Sequence, residues 1–292
     1  LSTIAIMQYI APTMIFLTAV FIFDEPFSRV KLLAFGLIIF TVLATWKRGR
    51  EILHDKLGQD AIDLEPFIES LALGADGLGE GLAVGSILVD MSTIAPETAR
   101  SLARRLSRQG VEMLDAPVSG GEQGAIAATL AIMVGGKAVV LERVLPLLEC
   151  LGKTIVHVGD NGAGQVAKAC NQMVMVGAIQ AVAEALHFAA AAEADPARVR
   201  QALGGGSAGS RVLEVMGGRM VDRDFSAGVE ARLHHKDYGV VLAEAYRLGV
   251  PVPVAAAVGQ QLNALMARGW GHSDTASLLR VLESVASAAC ER

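Results

Sequence analysis

The stretch that decides the fold is Lys153–Gln172, KTIVHVGDNGAGQVAKACNQ. Its first seven residues are rich in β-branched side chains and end in glycine, the pattern of a strand. A very apolar helix opens directly after. Gly162, Gly164 and Ala167 satisfy the relaxed dinucleotide fingerprint G-x-G-x-x-A, with a strand before and a helix after. Two readings compete here. Either the turn cradles a cofactor's phosphates, or the residue that matters is Lys168, near the helix start. No recognisable βαβ unit follows the turn, which counts against the cradle.

Upstream, strand and helix signals alternate from about Leu71. GSILVDMST reads as a buried strand with a polar end, and VEMLDAPVSGG as a strand and loop. TLAIMVGG and KTIVHVG read as further strands. PETARSLARRLSRQG is an amphipathic helix, with Pro96 in its first turn, Glu97 at its positive end and Gly110 at its stop. KAVVLERVLPLLECLG is a second helix. Alternation of this kind predicts an α/β layer. Downstream of Gly162 no further convincing strand appears. Residues 163–194 hold three charged side chains, Lys168, Glu184 and Glu193. A helix apolar all round is buried, and this one would span about 48 Å. Asp195 and Pro196 then start the next helix.

The 292 residues carry a net charge of −5 and no basic block, so nucleic acid is an improbable partner. Cys150, Cys170 and Cys290 are scattered and odd in number, which points to neither a zinc site nor a disulfide framework. A reducing cytoplasm fits them. The chain is greasy, with a mean hydropathy of +0.45. Residues 1–23 and 32–46 contain no charge, and Lys47, Arg48 and Arg50 follow. This pattern reads as a membrane hairpin with both ends on the cytoplasmic side; a buried core hairpin is the alternative. QYIAPT and FDEPFS within it resemble the last two helices of permeases of the drug/metabolite transporter superfamily. Two helices enclose no transport path. Residues 47–70 read as a polar linker.

Four constellations bear on chemistry. Lys168 in an apolar setting would lose hydration, and its pKa would fall toward neutrality. Asn171 lies three residues on, and Gly164 one turn back is expected to leave room above the ammonium. The bland alternative has Lys168 snorkelling to a surface. In APVSGG, Ser119, Gly120 and Gly121 follow a strand and allow a ligand to approach backbone; an ordinary turn is the other reading. Gly204, Gly206 and Gly209 match G-x-G-x-x-G literally, but they follow a helix, which suits a helix stop or loop. In LHHKDYGVVLAEA, His234 and His235 point in different directions on a helix, and no third ligand completes a metal site.

Taken in order, VDMSTIAPETAR, LDAPVSGGEQGA, TLAIMVGG, GAGQVAKACNQ and LHHKDYGVVLAEA resemble the β-hydroxyacid dehydrogenase family from about Leu71 to Glu283. The resemblance implies an NAD- or NADP-dependent oxidoreductase acting on a small hydroxy or oxo acid, with homo-oligomerisation through the helical part. It implies that Lys168 is catalytic, that Ser119, Gly120, Gly121 and Asn171 bind substrate, and that Thr93 and Lys236 lie near the nicotinamide. LDAPVSGGEQGAI, the NQ after KAC, and GGGSAGSRVLE incline it toward members that reduce a short 2-hydroxy-3-oxo acid. Two departures stand out. FSAGV carries Ala227 and Val229 where many relatives have proline and phenylalanine. The family's opening strand and phosphate turn are not found before GADGLGEGLAVGSILVDMST, where the hairpin stands. The expected architecture is therefore an α/β remnant of a Rossmann-type domain (71–161), an all-α domain (162–292), and an N-terminal two-helix apolar hairpin (1–46) in membrane contact. Weak turnover is expected of such a form.

Overall fold

The computed structural model describes residues 68–69, 72–73 and 82–290, the last five by backbone alone. The apolar hairpin expected over 1–46 lies outside the described residues. So does most of the expected linker, but not its end. Ile68 is buried, as is Ala72, and both pack with Leu88, Leu102 and Leu106. The folded unit therefore reaches back before Leu71.

Strand β1 (Ile87–Asp90) is buried at all four positions. Ile87 and Val89 face a core with Leu114, Ile132 and Val134, closed by Val140 and Val144 of a helix. Leu88 faces the opposite way, toward Met113 and helix α1 (Pro96–Ser107). Successive strand residues point to opposite faces, so a strand covered on both sides must be apolar throughout. Pro96 and Glu97 sit in the first turn of α1, as their chemistry dictates.

β1 pairs in parallel with β2 (Glu112–Asp115), Asp90 lying opposite Asp115. The next segment differs from expectation. It forms a two-residue strand, β3 (Val118–Ser119), then a short helix, α2 (Gly121–Ile126). Two residues are too few to show a period of two, so this strand has no sequence signature. β4 (Leu130–Gly135) runs antiparallel to β2 and β3 and parallel to β5 (Gly152–Gly159). The strands thus form a mixed sheet. The reversal has a local cause: β3 and β4 are joined by a connection too short for a crossover, whereas α1 and α3 (Ala138–Leu148) carry the chain back for parallel pairs.

Helix α4 (Ala163–Ala191) is 29 residues long, about 44 Å rather than the expected 48 Å. It is apolar and long enough to cross a bilayer. Instead it is the central strut of the protein. Its first turns lie on β2, β3 and β4, and its remainder packs against later helices. These are α5 (Pro196–Gly204), α6 (Arg211–Val221), α7 (Ala231–Leu248), α8 (Pro253–Ala267) and α9 (Leu278–Cys290). Val176, Ile179, Ala183 and Leu186 of α4 meet Met220, Tyr238, Leu262 and Leu278 in one core. Each fully buried aliphatic side chain there contributes roughly 2 kcal/mol. Asp195 caps α5 through the Ala197 N–H, and Ser210 caps α6 through the Leu213 N–H.

Candidate active site

The buried stripe of α4 changes chemistry along its length. Gln165, Lys168 and Gln172 form its first part, and Val176, Ile179 and Ala183 continue it. The polar part lies where the helix crosses the carboxyl ends of β1 and β2, the place where open α/β sheets bind ligands.

Lys168 is 8% exposed, and its Nζ donates to the Val118 carbonyl at 2.9 Å. That carbonyl belongs to the residue before Ser119. The ammonium therefore sits beside the Ser119–Gly121 bend and does not snorkel to bulk water. Burial lowers the Lys168 pKa, Asp237 opposes the shift, and Lys236 adds to it. Gly120 and Gly121 take φ of +141° and +62°, which side chains other than glycine's adopt at a cost. A Cβ on Gly121 would meet nothing within 4 Å, so the backbone there is open to a ligand.

The second cation, Lys236 on α7, donates to the Thr93 carbonyl at 2.8 Å and pairs with Asp237 at 2.8 Å. Asp237 also accepts from Gln172 Nε2 at 2.5 Å. Thr93 and Lys236 are thus in direct contact, Thr93 engaging through its backbone. On the other side of Thr93, Gln165 Oε1 accepts the Ile94 N–H at 3.2 Å and Gln165 Nε2 donates to the Ser92 carbonyl at 2.8 Å. Both α4 and α7 hold the Thr93 loop. His234 is a packed core residue, its ring 2.6 Å from Thr275 Oγ1, and burial lowers its pKa.

One sequence expectation needs correction. Gly164 leaves no room above the ammonium. A Cβ there would lie 2.6 Å from the Asp115 carbonyl oxygen, so the glycine lets the helix touch the sheet. Asn171 lies three residues along α4 from Lys168. Its amide donates to Gln172 at 2.8 Å, which joins it to the Asp237 network.

The opening question now has a structural answer. An anion does sit at the start of α4, but it is the protein's own. Asp115 Oδ1 accepts the Gly162 N–H at 2.7 Å, and Oδ2 accepts the Gln165 N–H at 3.1 Å. A phosphate has no place there. Gly204 ends α5, and Gly206 and Gly209 lie in the exposed connection to α6, not after a strand. Among the described residues no glycine-rich phosphate turn follows a strand. The groups present suit the nicotinamide half of a dinucleotide: two ammonium groups, the Thr93 loop at the end of β1, and the open backbone at Gly121.

Gln165, Gln172, Asp115 and Asp237 were missed by sequence reasoning focused on charged residues in α4. A signal was available. Gln165 and Gln172 lie three residues before and four after Lys168, so they line one face of an otherwise apolar helix.

Two family profiles match the chain. One, described as the NAD-binding domain of 6-phosphogluconate dehydrogenase, covers residues 62–159. The other, described as the NAD-binding region of NADP-dependent 3-hydroxyisobutyrate dehydrogenase, covers 162–282. The chain is 46% identical over 222 residues to the 2-hydroxy-3-oxopropionate reductase of Escherichia coli K12, covering 76% of each. It is 41% identical over 196 residues to a 3-hydroxyisobutyrate dehydrogenase of Pseudomonas aeruginosa, covering 65% of this chain and 66% of that one. The crystal structure of a 3-hydroxyisobutyrate dehydrogenase from Salmonella typhimurium superposes with a TM-score of 0.68 at 26% identity, over 74% of this chain and 76% of the other. With the sheet, the buried lysine and these similarities together, the chain belongs to the β-hydroxyacid dehydrogenase family of NAD(P)-dependent oxidoreductases.

Proposed function

We propose that the chain reduces 2-hydroxy-3-oxopropionate to glycerate, with Lys168 as the proton donor. The observation that carries this reading is the buried Lys168 ammonium next to the Ser119–Gly121 bend. The similarity to the Escherichia coli 2-hydroxy-3-oxopropionate reductase supports the substrate.

In this reading the Ser119 hydroxyl and the backbone of Gly120 and Gly121 hold the substrate carboxylate. Asn171 contacts the substrate from the lysine helix. The reduced nicotinamide, when bound, supplies a hydride to the carbonyl carbon. Lys168 gives its proton to the carbonyl oxygen as charge develops there, so one C–H and one O–H bond form. In the reverse direction neutral Lys168 takes that proton back. Its lowered pKa suits both directions, because a general acid works best when its pKa lies near the working pH. Lys236 holds the Thr93 loop against the nicotinamide side. Residues 71–161 form the dinucleotide-binding part and residues 162–292 the substrate and oligomerisation part.

The test is oxidation of NADH and NADPH by purified protein with the oxo acid. Turnover that falls about 10²–10⁴-fold in Lys168→Ala is expected. Equal rates in both proteins would remove Lys168 from the chemistry.

A further inference from the structure

The geometry points to Asp115 as a positioning residue, which anchors the start of α4 and thereby aims Lys168 at the Ser119–Gly121 bend. The inference rests on Lys168 being the proton donor proposed above. Asp115 is 0% exposed, and it lies on β2, 50 residues before the helix turn it caps. The first N–H groups of a helix have no partner within the helix. Here two of them, from Gly162 and Gln165, point at the two oxygens of one carboxylate. Two glycines clear the slot and a third takes a left-handed turn beside it. A Cβ on Gly135 would lie 2.6 and 2.7 Å from the carboxylate oxygens, one on Gly164 would lie 2.9 Å from Oδ2, and Gly162 at φ +87° turns its N–H inward.

The groups facing this carboxylate leave its purpose narrow. Asp90 on β1 adds a like charge, and β4 presents Gly135 without a side chain. From α4 it receives two N–H donors. Burial raises the Asp115 pKa to about 6, so the group is held ionised at neutral pH against its own desolvation. An amide of the same shape would avoid that cost, but it offers one acceptor where two N–H groups arrive. The carboxylate is therefore the group that can seat both. Gln165 lies one turn before Lys168 and also clamps Ser92 and Ile94 around Thr93. One acid thus sets the register of both the proton donor and the Thr93 loop.

The test uses two readouts. In the full chain, hydrogen exchange at the Gly162 and Gln165 amides should show protection of about 100-fold or more, since no helix bond protects them. Free exchange there overturns the anchor without any variant. Asp115→Asn should then lower kcat about 10- to 100-fold, as an ångström of misplacement does, with the substrate KM within about threefold. Acetic anhydride labelling of Lys168 relative to Lys236, read by mass spectrometry, should rise at least about fivefold in the same variant as burial of the amine is lost. Asp115→Glu keeps the charge but overfills the glycine slot, so it should lose kcat as well. An unchanged labelling ratio, or full kcat in either variant, would sink the proposal. If the unsubstituted chain shows protected amides and a labelling contrast but no turnover, the function reading falls and the anchor stands.

Discussion

At the scale of single residues, burial decides what each ionisable group does. Burial pushes the Asp115 pKa up to about 6 in the fold, against an ordinary aspartate value of 3.8. The folded state therefore binds its proton more tightly than the unfolded state does. The associated stability is full below about pH 4 and is lost as pH rises through about 6, amounting to roughly 3 kcal/mol. Asp90, also buried, shifts in the same direction. Urea midpoints should accordingly fall between pH 4 and pH 7, and Asp115→Asn should flatten part of that fall. A variant with the same slope as the parent would contradict the buried carboxylate. Lys236 gives a second prediction at this scale. Lys236→Met removes one charged hydrogen bond to Thr93 and should raise the cofactor Kd about tenfold. Fluorescence titration with NADH and NADPH would show it.

At the scale of elements, α4 is held to the sheet by backbone contact as much as by side chains. A Cβ at Gly164 would press on the Met133 and Asp115 carbonyl oxygens. Gly164→Ala should therefore lift the helix start, costing roughly 1–3 kcal/mol in denaturant unfolding. It should lower kcat more than it raises KM, because Lys168 moves with the helix. Stability and activity equal to the parent's would show that the contact is slack. The strand and helix alternation was readable because each element has its own period. β3 was not readable, since its course follows from the glycine turn after it and from pairing with β4.

At the scale of the whole molecule, two buried acids tie distant segments together. Asp274, 1% exposed, accepts from Arg219 at 3.0 Å and from the N–H groups of Gly228 and Val229 at 3.1 and 3.2 Å. Asp274→Ala would strand these donors in the interior and should cost roughly 3–5 kcal/mol. A shift in the thermal midpoint of less than about 2 °C would refute that role. The proposed homo-oligomer belongs to this scale too. Val174, Phe188 and Val254 are 75%, 75% and 71% exposed on the helical part. Sedimentation velocity at micromolar concentration should give a dimer or larger, and a monomer would remove that reading.

The sequence by itself determined the local periods, the punctuating glycines and prolines, and the ordered motifs that place Lys168, Ser119, Thr93 and Lys236 in one family. These are properties of a few neighbouring residues, so one dimension carries them. The tertiary structure alone decided that Asp115, not a phosphate, fills the start of α4. It also decided that Gly164 closes a gap and that Gln165 and Lys236 bind the Thr93 loop to two helices. Each of those depends on atoms 47 to 143 residues apart in the chain, and no spacing along the sequence encodes the direction in which a buried hydrogen bond will point.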